Sequence, residues 1–314
     1  MAVNVASEWL NACSGCEISI LNTGEALLDL LAQLNFVHIP ALVDHKYYGQ
    51  LGDGTTLEIP EATVGIVSGG VRNTEHQHVL EELRKKVKIL ISLGSCACFG
   101  GVPAQANMFK PEEVWDKVFR GCISTEPAPN PENPNLPKWT DTCKALDEVT
   151  KVDISIPGCP PHPDWIAEAI LALLAGKTSW SLPERSVCDT CAVIREKKSG
   201  GGPIKRMLAN VEFNPDEGID KMRCLNEQGI FCMGPVTLAG CCGKAGEPRC
   251  VHARTPCRGC FGPIRKGAKP LVDMMGALTS VGLDPKTLLD RRAIMNRYIG
   301  AHGYLTAMPA RPVR

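Results

Sequence analysis

Residues 89–101 read ILISLGSCACFGG. Ile89–Leu93 is a short run of branched apolar residues, the pattern of a strand buried on both faces. Glycines then bracket Cys96 and Cys98 in a tight turn. The same arrangement recurs twice. Near the N-terminus the apolar run Val3–Leu10 leads into NACSGCEISIL (Asn11–Leu21), with Cys13 and Cys16 in a glycine-containing turn before a helix start. Further on, Val152–Ile156 leads into PGCPP (Pro157–Pro161), which carries Cys159. Phe36–Leu42 and Val64–Ser68 read as further strands, and helical periodicity over Glu17–Leu34, Glu75–Lys86 and Asp164–Leu174 separates the runs. This alternation predicts a doubly wound α/β fold with a parallel sheet over residues 1–180. Ligands of such sheets bind beyond the carboxyl ends of the strands. The three cysteine turns therefore converge on one edge, where thiolates replace a phosphate cradle because the ligand is a metal centre.

The rest of the chain agrees with a metalloprotein. It has 314 residues, with 34 Lys plus Arg against 34 Asp plus Glu. That balance argues against nucleic acid as the main partner, which needs a basic excess. No apolar run approaches the roughly 18–20 residues of a membrane span, and MAVNVASEWL has neither a signal-peptide pattern nor a twin arginine. The expectation is a soluble, cytoplasmic protein. Sixteen cysteines stand out; in a large chain without an export signal they suggest metal ligands or redox groups rather than disulfides.

The texture changes from Ser186 onward, giving a second unit over residues 181–314. Gly176 after LALLA reads as a helix C-cap, and Pro183 supports a boundary. The Gly176-Lys177-Thr178 triplet ends a helix and lacks the earlier glycine of a phosphate loop. Glu126–Pro137 (EPAPNPENPNLP) is too proline-rich for helix or central strand and reads as a surface loop. In the second unit SGGGP (Ser199–Pro203) and crowded cysteines replace clear strands, so the apolar core is expected to be thin and metal ligation to supply folding free energy. Helical periodicity returns at Leu271–Val281 and Lys286–Ile299.

Cys13, Cys16, one cysteine of the GSCACFGG turn and Cys159 make a four-thiolate set, the usual complement of a cubane iron–sulfur cluster. Structural zinc is the competing reading, although zinc modules collect ligands from short local pairs. In the second half lie the pair Cys188 and Cys191, then Cys224, Cys232, Cys241, Cys242 and Cys250, and finally the pair Cys257 and Cys260. They fit two more four-thiolate sites without matching the C-x2-C-x2-C-x3-C-P run of bacterial ferredoxins.

The ordered set CSGCE, GSCACFGG, PGCPP, CMGP (Cys232–Pro235) and PCRGC resembles the small, electron-transferring subunit of NiFe hydrogenases over nearly the whole chain. Within that family it is most similar to the gamma subunit of the methyl-viologen-reducing (deazaflavin-non-reducing) hydrogenases of methanogens. The resemblance implies a flavodoxin-like doubly wound sheet followed by a cysteine-rich iron–sulfur domain with little regular strand. It implies three 4Fe-4S clusters: proximal on Cys13, Cys16, Cys96 and Cys159; distal on Cys188, Cys191, Cys224 and Cys232; medial on Cys241, Cys250, Cys257 and Cys260. Cys96 takes the family's G-x-C position, and Cys241 is preferred to Cys242 only for its distance from CMGP. Many relatives have histidine in place of Cys188, and many periplasmic ones have proline and a three-iron cluster at Cys250, so this chain departs toward all-thiolate ligation. Cys98, Cys122, Cys143 and Cys242 remain as ordinary buried thiols.

The implied function is non-catalytic. A large partner subunit holds the nickel–iron centre, and this chain relays electrons from hydrogen oxidation to a small 2Fe-2S delta subunit and a heterodisulfide reductase complex. The small subunit of deazaflavin-reducing hydrogenases is the nearest rival, but its C-terminal part carries the paired ferredoxin runs absent here. Respiratory quinone-reductase subunits resemble the first unit only. A zinc-stapled interaction module is the alternative from another class. Among weaker signals, Glu17 reads as a helix N-terminal carboxylate favoured by the dipole, with a proton route as the functional alternative. SGGV (Ser68–Val71) reads as a tight turn, His76 and His78 as surface histidines, and His162 as a hydrogen-bond donor near the proximal cluster.

Overall fold

The computed structural model describes residues 2–49, 54, 56–196, 198–205, 208–244 and 246–308. Its strands are β1 (Val3–Trp9), β2 (Leu34–His38), β3 (Ala62–Ser68), β4 (Val71–Asn73), β5 (Val87–Leu93), β6 (Trp139–Lys144) and β7 (Ile154–Ile156). Five of them form a parallel sheet in the order β2-β1-β3-β5-β7, while β4 and β6 pair as a separate antiparallel ribbon. The chain steps from β1 to β2 on one side and then to β3 on the other, the flavodoxin-like winding, so the direction reverses between β1 and β3.

Both faces of the sheet are covered. On one, Val5, Val64, Ile66, Ile91, Ile154 and Ile156 pack against Ile20, Leu30 and the buried side of the helix Pro163–Leu174. On the other, Ala6, Val67, Val87 and Leu90 meet Val79, Leu80 and Leu83 of the helix Thr74–Lys86. Asn73 caps that second helix by accepting from His76 N–H at 2.8 Å, and Arg84, Lys85 and Lys86 close its last turn. Capping side-chain oxygens and terminal cations both favour the helix end-to-end.

The register decides the site. Trp9 pairs with Ser68, Ser68 with Leu93, and Leu93 with Ile156. These are the last residues of β1, β3, β5 and β7, so four strands end in one row and their following turns leave from the same edge.

Some elements differ from expectation. The helix anticipated over 17–34 is two short ones, α1 (Gly15–Leu21) and α2 (Ala26–Leu31). Asn22, Thr23 and Gly24 are poor helix formers, and the Thr23 hydroxyl bonds Ile20 O at 2.7 Å. The second strand starts earlier and stops at His38, since Pro40 cannot donate to a ladder. The segment 286–299 holds a 3-10 turn at Pro285–Thr287 and the short helix Arg291–Met295, interrupted at Asp290, whose φ is +52°. The ribbon of β4 and β6 and the helices Gly94–Phe99 and Pro111–Phe119 were not foreseen.

Beyond Gly176 the described residues form no named strand, only helical turns and isolated bridges such as Ser186 with Leu238. The apolar core there is larger than the glycine-rich texture implies: Ile204, Met222, Leu225, Ile230 and Leu288 close around Met274 and Leu278 of the helix Pro270–Ser280. The two parts are joined by Trp165 Nε1–H to Gly240 O at 2.7 Å and by Leu182, Leu238 and Phe261, which enter the sheet's core. Among the described residues no helix is long and apolar enough to cross a membrane.

A further link is His302, whose N–H donates to Glu148 Oε1 at 3.1 Å and whose ring lies 2.6 Å from Asp147 Oδ1. Its hydrogen bond to Asp147 raises the His302 pKa. A raised histidine stabilises below its unfolded value of about 6.5, and that contribution is lost as pH rises through the folded value. The melting-temperature deficit of His302→Gln should therefore be largest near about pH 6 and shrink toward about pH 9; a deficit independent of pH contradicts the assignment.

Candidate metal centre

The row of strand ends positions the first thiols. After β1, Leu10 N–H donates to Ser68 O at 2.9 Å, and Asn11 bridges Gly70, holding the Cys13–Cys16 turn against the reversal point of the sheet. Gly94 and Gly101 bracket the turn after β5. Both have positive φ; a Cβ at Gly94 would collide with Cys16 Sγ, and one at Gly101 would stand 2.5 Å from Cys96 Sγ. Only glycine lets the backbone approach these sulfurs so closely. Ser95 N–H donates to Gly158 O at 2.8 Å, and Gly158 N–H to Ser95 Oγ at 3.1 Å, which ties this turn to PGCPP.

The four thiols expected at this edge are electrostatic neighbours. Burial pushes the Cys16 thiol up, and negative charge on Glu17, Cys96, Cys159 and Cys13 adds to the effect. Cys96 is pushed up to about 12, by burial first and then by Cys159. Cys98 instead turns toward Ser92, with its sulfur 3.2 Å from the hydroxyl, and no cysteine adds to its shift. Cys13 and Cys159 are exposed, so the group opens to the surface on one side.

Cys188, Cys191, Cys224 and Cys232 line a single cavity with Val187, Val193, Arg195, Asn226 and Val251. Asn226 braces Cys232 twice, accepting its N–H at 3.0 Å and donating to its carbonyl at 3.1 Å. The Arg195 guanidinium donates to the carbonyls of Cys188 and Cys191. Burial still carries Cys188 up to about 12, although Arg195 opposes it.

Cys241, Cys250, Cys257 and Cys260 form a third set. Burial raises Cys260 most, followed by charge on Cys257, Cys241 and Cys250; Cys257 goes up to about 12, with Cys250 and Cys241 contributing. Cys242 also neighbours Cys241, adding to its shift ahead of Cys250, and points its sulfur at Gly243 O, 3.7 Å away. The middle set also borders the other two. Cys159 adds to the shift of Cys260, and Cys257 N–H donates to Cys232 Sγ at 3.2 Å.

All sixteen cysteines are free thiols. Among the described residues no three Cys, His, Asp or Glu side chains close around a single metal ion. Iron–sulfur clusters suit the donor chemistry better. They take four cysteine thiolates, set their ligands around a polynuclear core, and neutralise thiolates that burial alone disfavours.

The remaining candidates fare differently. Glu17 does lie in the first turn of α1, but it is only 3% exposed. Ser68 Oγ–H donates to its Oε1 at 2.5 Å, while Oε2 is buried without a partner among the described residues. The helix-end position is thus as expected, and the carboxylate is in addition buried against Ser68. Gly69 in SGGV has φ +87°, as a tight turn requires. His78 is exposed, whereas His76 is half-buried with its pKa lowered by burial. His162 caps the helix Pro163–Leu174, its Nδ1 accepting from Asp164 N–H at 3.2 Å. Cys98 and Cys143 are buried, but Cys122 sits half-exposed in a surface loop beside Ser124 Oγ, 2.9 Å away. Sequence reading missed Arg72, buried beside Cys143 with its guanidinium over Trp139, because β4 gives too short a pattern to reveal it.

The G subunit of the F420-non-reducing hydrogenase vhu of Methanocaldococcus jannaschii is 37% identical over 95% of this chain and 95% of its own. This chain belongs to that hydrogenase subunit family. The corresponding F420-non-reducing hydrogenase subunit of Methanothermobacter thermautotrophicus is 36% identical over 88% of the chain and 84% of its own. Residues 13–173 match the family described as NADH ubiquinone oxidoreductase, 20 Kd subunit. That match holds the four thiols of the sheet edge and none of the cysteines from Cys188 onward. A chain of an NAD+-reducing [NiFe]-hydrogenase in the H2-reduced state is 29% identical, with TM-score 0.51, over 58% of this chain and 97% of its own. The protein is thus a hydrogenase-family oxidoreductase subunit with the fold of a small subunit.

In this hydrogenase subunit, Gly94→Ala forces Cys16 Sγ away from the edge. The expected outcome is correctly folded protein with less bound iron than wild type, read by circular dichroism and metal analysis together; full iron content contradicts the close-approach argument.

Proposed function

We propose that this chain is the electron conduit of a NiFe hydrogenase. It carries no nickel site in this reading; a large partner subunit splits hydrogen, and this subunit passes electrons on. Three 4Fe-4S clusters would be held by Cys13, Cys16, Cys96 and Cys159; by Cys241, Cys250, Cys257 and Cys260; and by Cys188, Cys191, Cys224 and Cys232. Bound there, they would supply one-electron redox chemistry, while the protein sets ligation, spacing and burial. Residues 1–180 form the proximal unit and residues 181–314 the medial and distal unit.

The observation that carries the reading is the linear succession of thiol groups: Cys159 neighbours Cys260, and Cys257 donates to Cys232. A stapling role needs no such order, whereas a relay does. Cys13 and Cys159 are exposed, as are Trp9, Ile18 and Leu21 on the first strand and helix, and apolar residues of this kind suit contact with the large subunit. Trp9 Nε1–H donates to Cys13 O at 3.3 Å, which ties the loop to Trp9. At the far end the acceptor is a small 2Fe-2S delta subunit, leading to a heterodisulfide reductase complex, and the assembly works in the cytoplasm.

Anaerobically purified protein should contain about twelve irons and about twelve labile sulfides per chain, four for each set of four thiolates. About four irons would leave only the proximal site, and zinc without sulfide would refute the relay. Within the medial set, Cys241→Ser should remove about a third of the iron while Cys242→Ser leaves it unchanged, on the same count of four irons per cluster; the reverse pattern would move the ligand to Cys242.

A further inference from the structure

A cavity beside the third thiol set has a volume of ≈ 200 Å³ and is walled by Ile230, Phe231, Met233, Pro256 and Ile294, with Cys257, Arg258 and Arg297 completing it. No acidic side chain is among these lining residues. Arg297 is half-buried, yet it makes no hydrogen bond or ion pair with the described residues. Every other half-buried or buried arginine among the described residues has at least one partner: Arg72 donates to Thr140 O, Arg84 pairs with Asp153, Arg223 donates to Lys198 O, Arg254 to Glu217 O, Arg291 to Pro285 O and Arg292 to Thr306. Arg258, on the same wall, also has no bonded partner among them.

Both guanidiniums reach solvent and neither has an acceptor among the described residues, so an anion seated in the cavity would take charge-assisted hydrogen bonds from them. Arginine's planar donors match a carboxylate in bidentate fashion. The remaining walls are apolar and aromatic, the usual lining of a small-molecule site whose few polar groups fix orientation. A cavity of about 150 Å³ lined by apolar side chains accepts benzene, so this one has room for a ring or short alkyl body with its charged group attached.

We propose that the Arg258–Arg297 cavity binds an organic carboxylate with an apolar body. The site is separate from the established family activity and does not depend on Cys257 holding a cluster. A ligand there would lie against the Cys257 wall, adding negative charge beside the middle thiol set.

The test is calorimetric titration of sodium benzoate into anaerobically purified full-length protein, with inorganic phosphate as the second probe. Benzoate should bind in preference to phosphate. Arg258→Gln, at an exposed position, and Arg297→Gln should each weaken it by about tenfold or more, the loss typical of one charge-assisted bond. Iron content equal to wild type shows that the variants are intact; should Arg297→Gln lose iron, Arg258→Gln and Ile294→Trp, which fills the cavity, decide the matter. No benzoate binding at millimolar concentration, binding unchanged in the intact variants, or phosphate binding as well as benzoate overturns the proposal. So does benzoate binding that vanishes when the chain is assembled with its partner subunits, since the arginines would then serve a subunit contact.

Discussion

Everything at the candidate centre depends on the in-line ending of four parallel strands. Trp9, Ser68, Leu93 and Ile156 pair in succession, so the turns after β1, β5 and β7 leave the sheet side by side. A slip of one residue in any pairing would turn that strand's alternate side chains to the opposite face. Val64, Ile66, Ile91, Ile154 and Ile156 on one face, and Val67 and Leu90 on the other, oppose such a slip because each is buried against its own layer of helices. Core packing thereby fixes the spacing of sulfurs that are distant in sequence.

The second constraint is electrostatic. Cys16, Cys96, Cys188, Cys257 and Cys260 all have thiols raised by burial. Gathering several thiolates in low dielectric is unfavourable unless positive charge arrives with the ligand. Metal binding must therefore release protons, and its free energy adds to folding. This coupling matters most beyond Gly176, where loops and short turns replace a sheet. The core around Met274 and Leu278 gives that region some stability of its own, and ligation would hold the loops of Cys188, Cys224 and Cys250 onto it.

The parallel sheet and its cysteine edge were legible because Val64–Ser68, Ile89–Leu93 and Ile154–Ile156 are mostly apolar and each is followed directly by glycine or proline. The ligand groupings came from family resemblance, and the structure arranges the same cysteines as neighbours. Less visible were features whose partner lies far along the chain. The three-residue strand Val71–Asn73 pairs with the mostly polar WTDTCK segment Trp139–Lys144, and neither carries a strong apolar alternation. The burial of Glu17 depends on Ser68, and the isolation of Arg297 depends on which residues surround it. The helix Pro111–Phe119 did carry a readable signal, with proline at its first position and two glutamates in its first turn.

Low-temperature electron paramagnetic resonance of the dithionite-reduced, anaerobically purified chain tests the relay most directly. Three adjacent reduced 4Fe-4S clusters predict broad, mutually spin-coupled signals that relax rapidly. A single sharp uncoupled signal, or a silent spectrum from a zinc-containing protein, would contradict a wire of thiol-bound clusters.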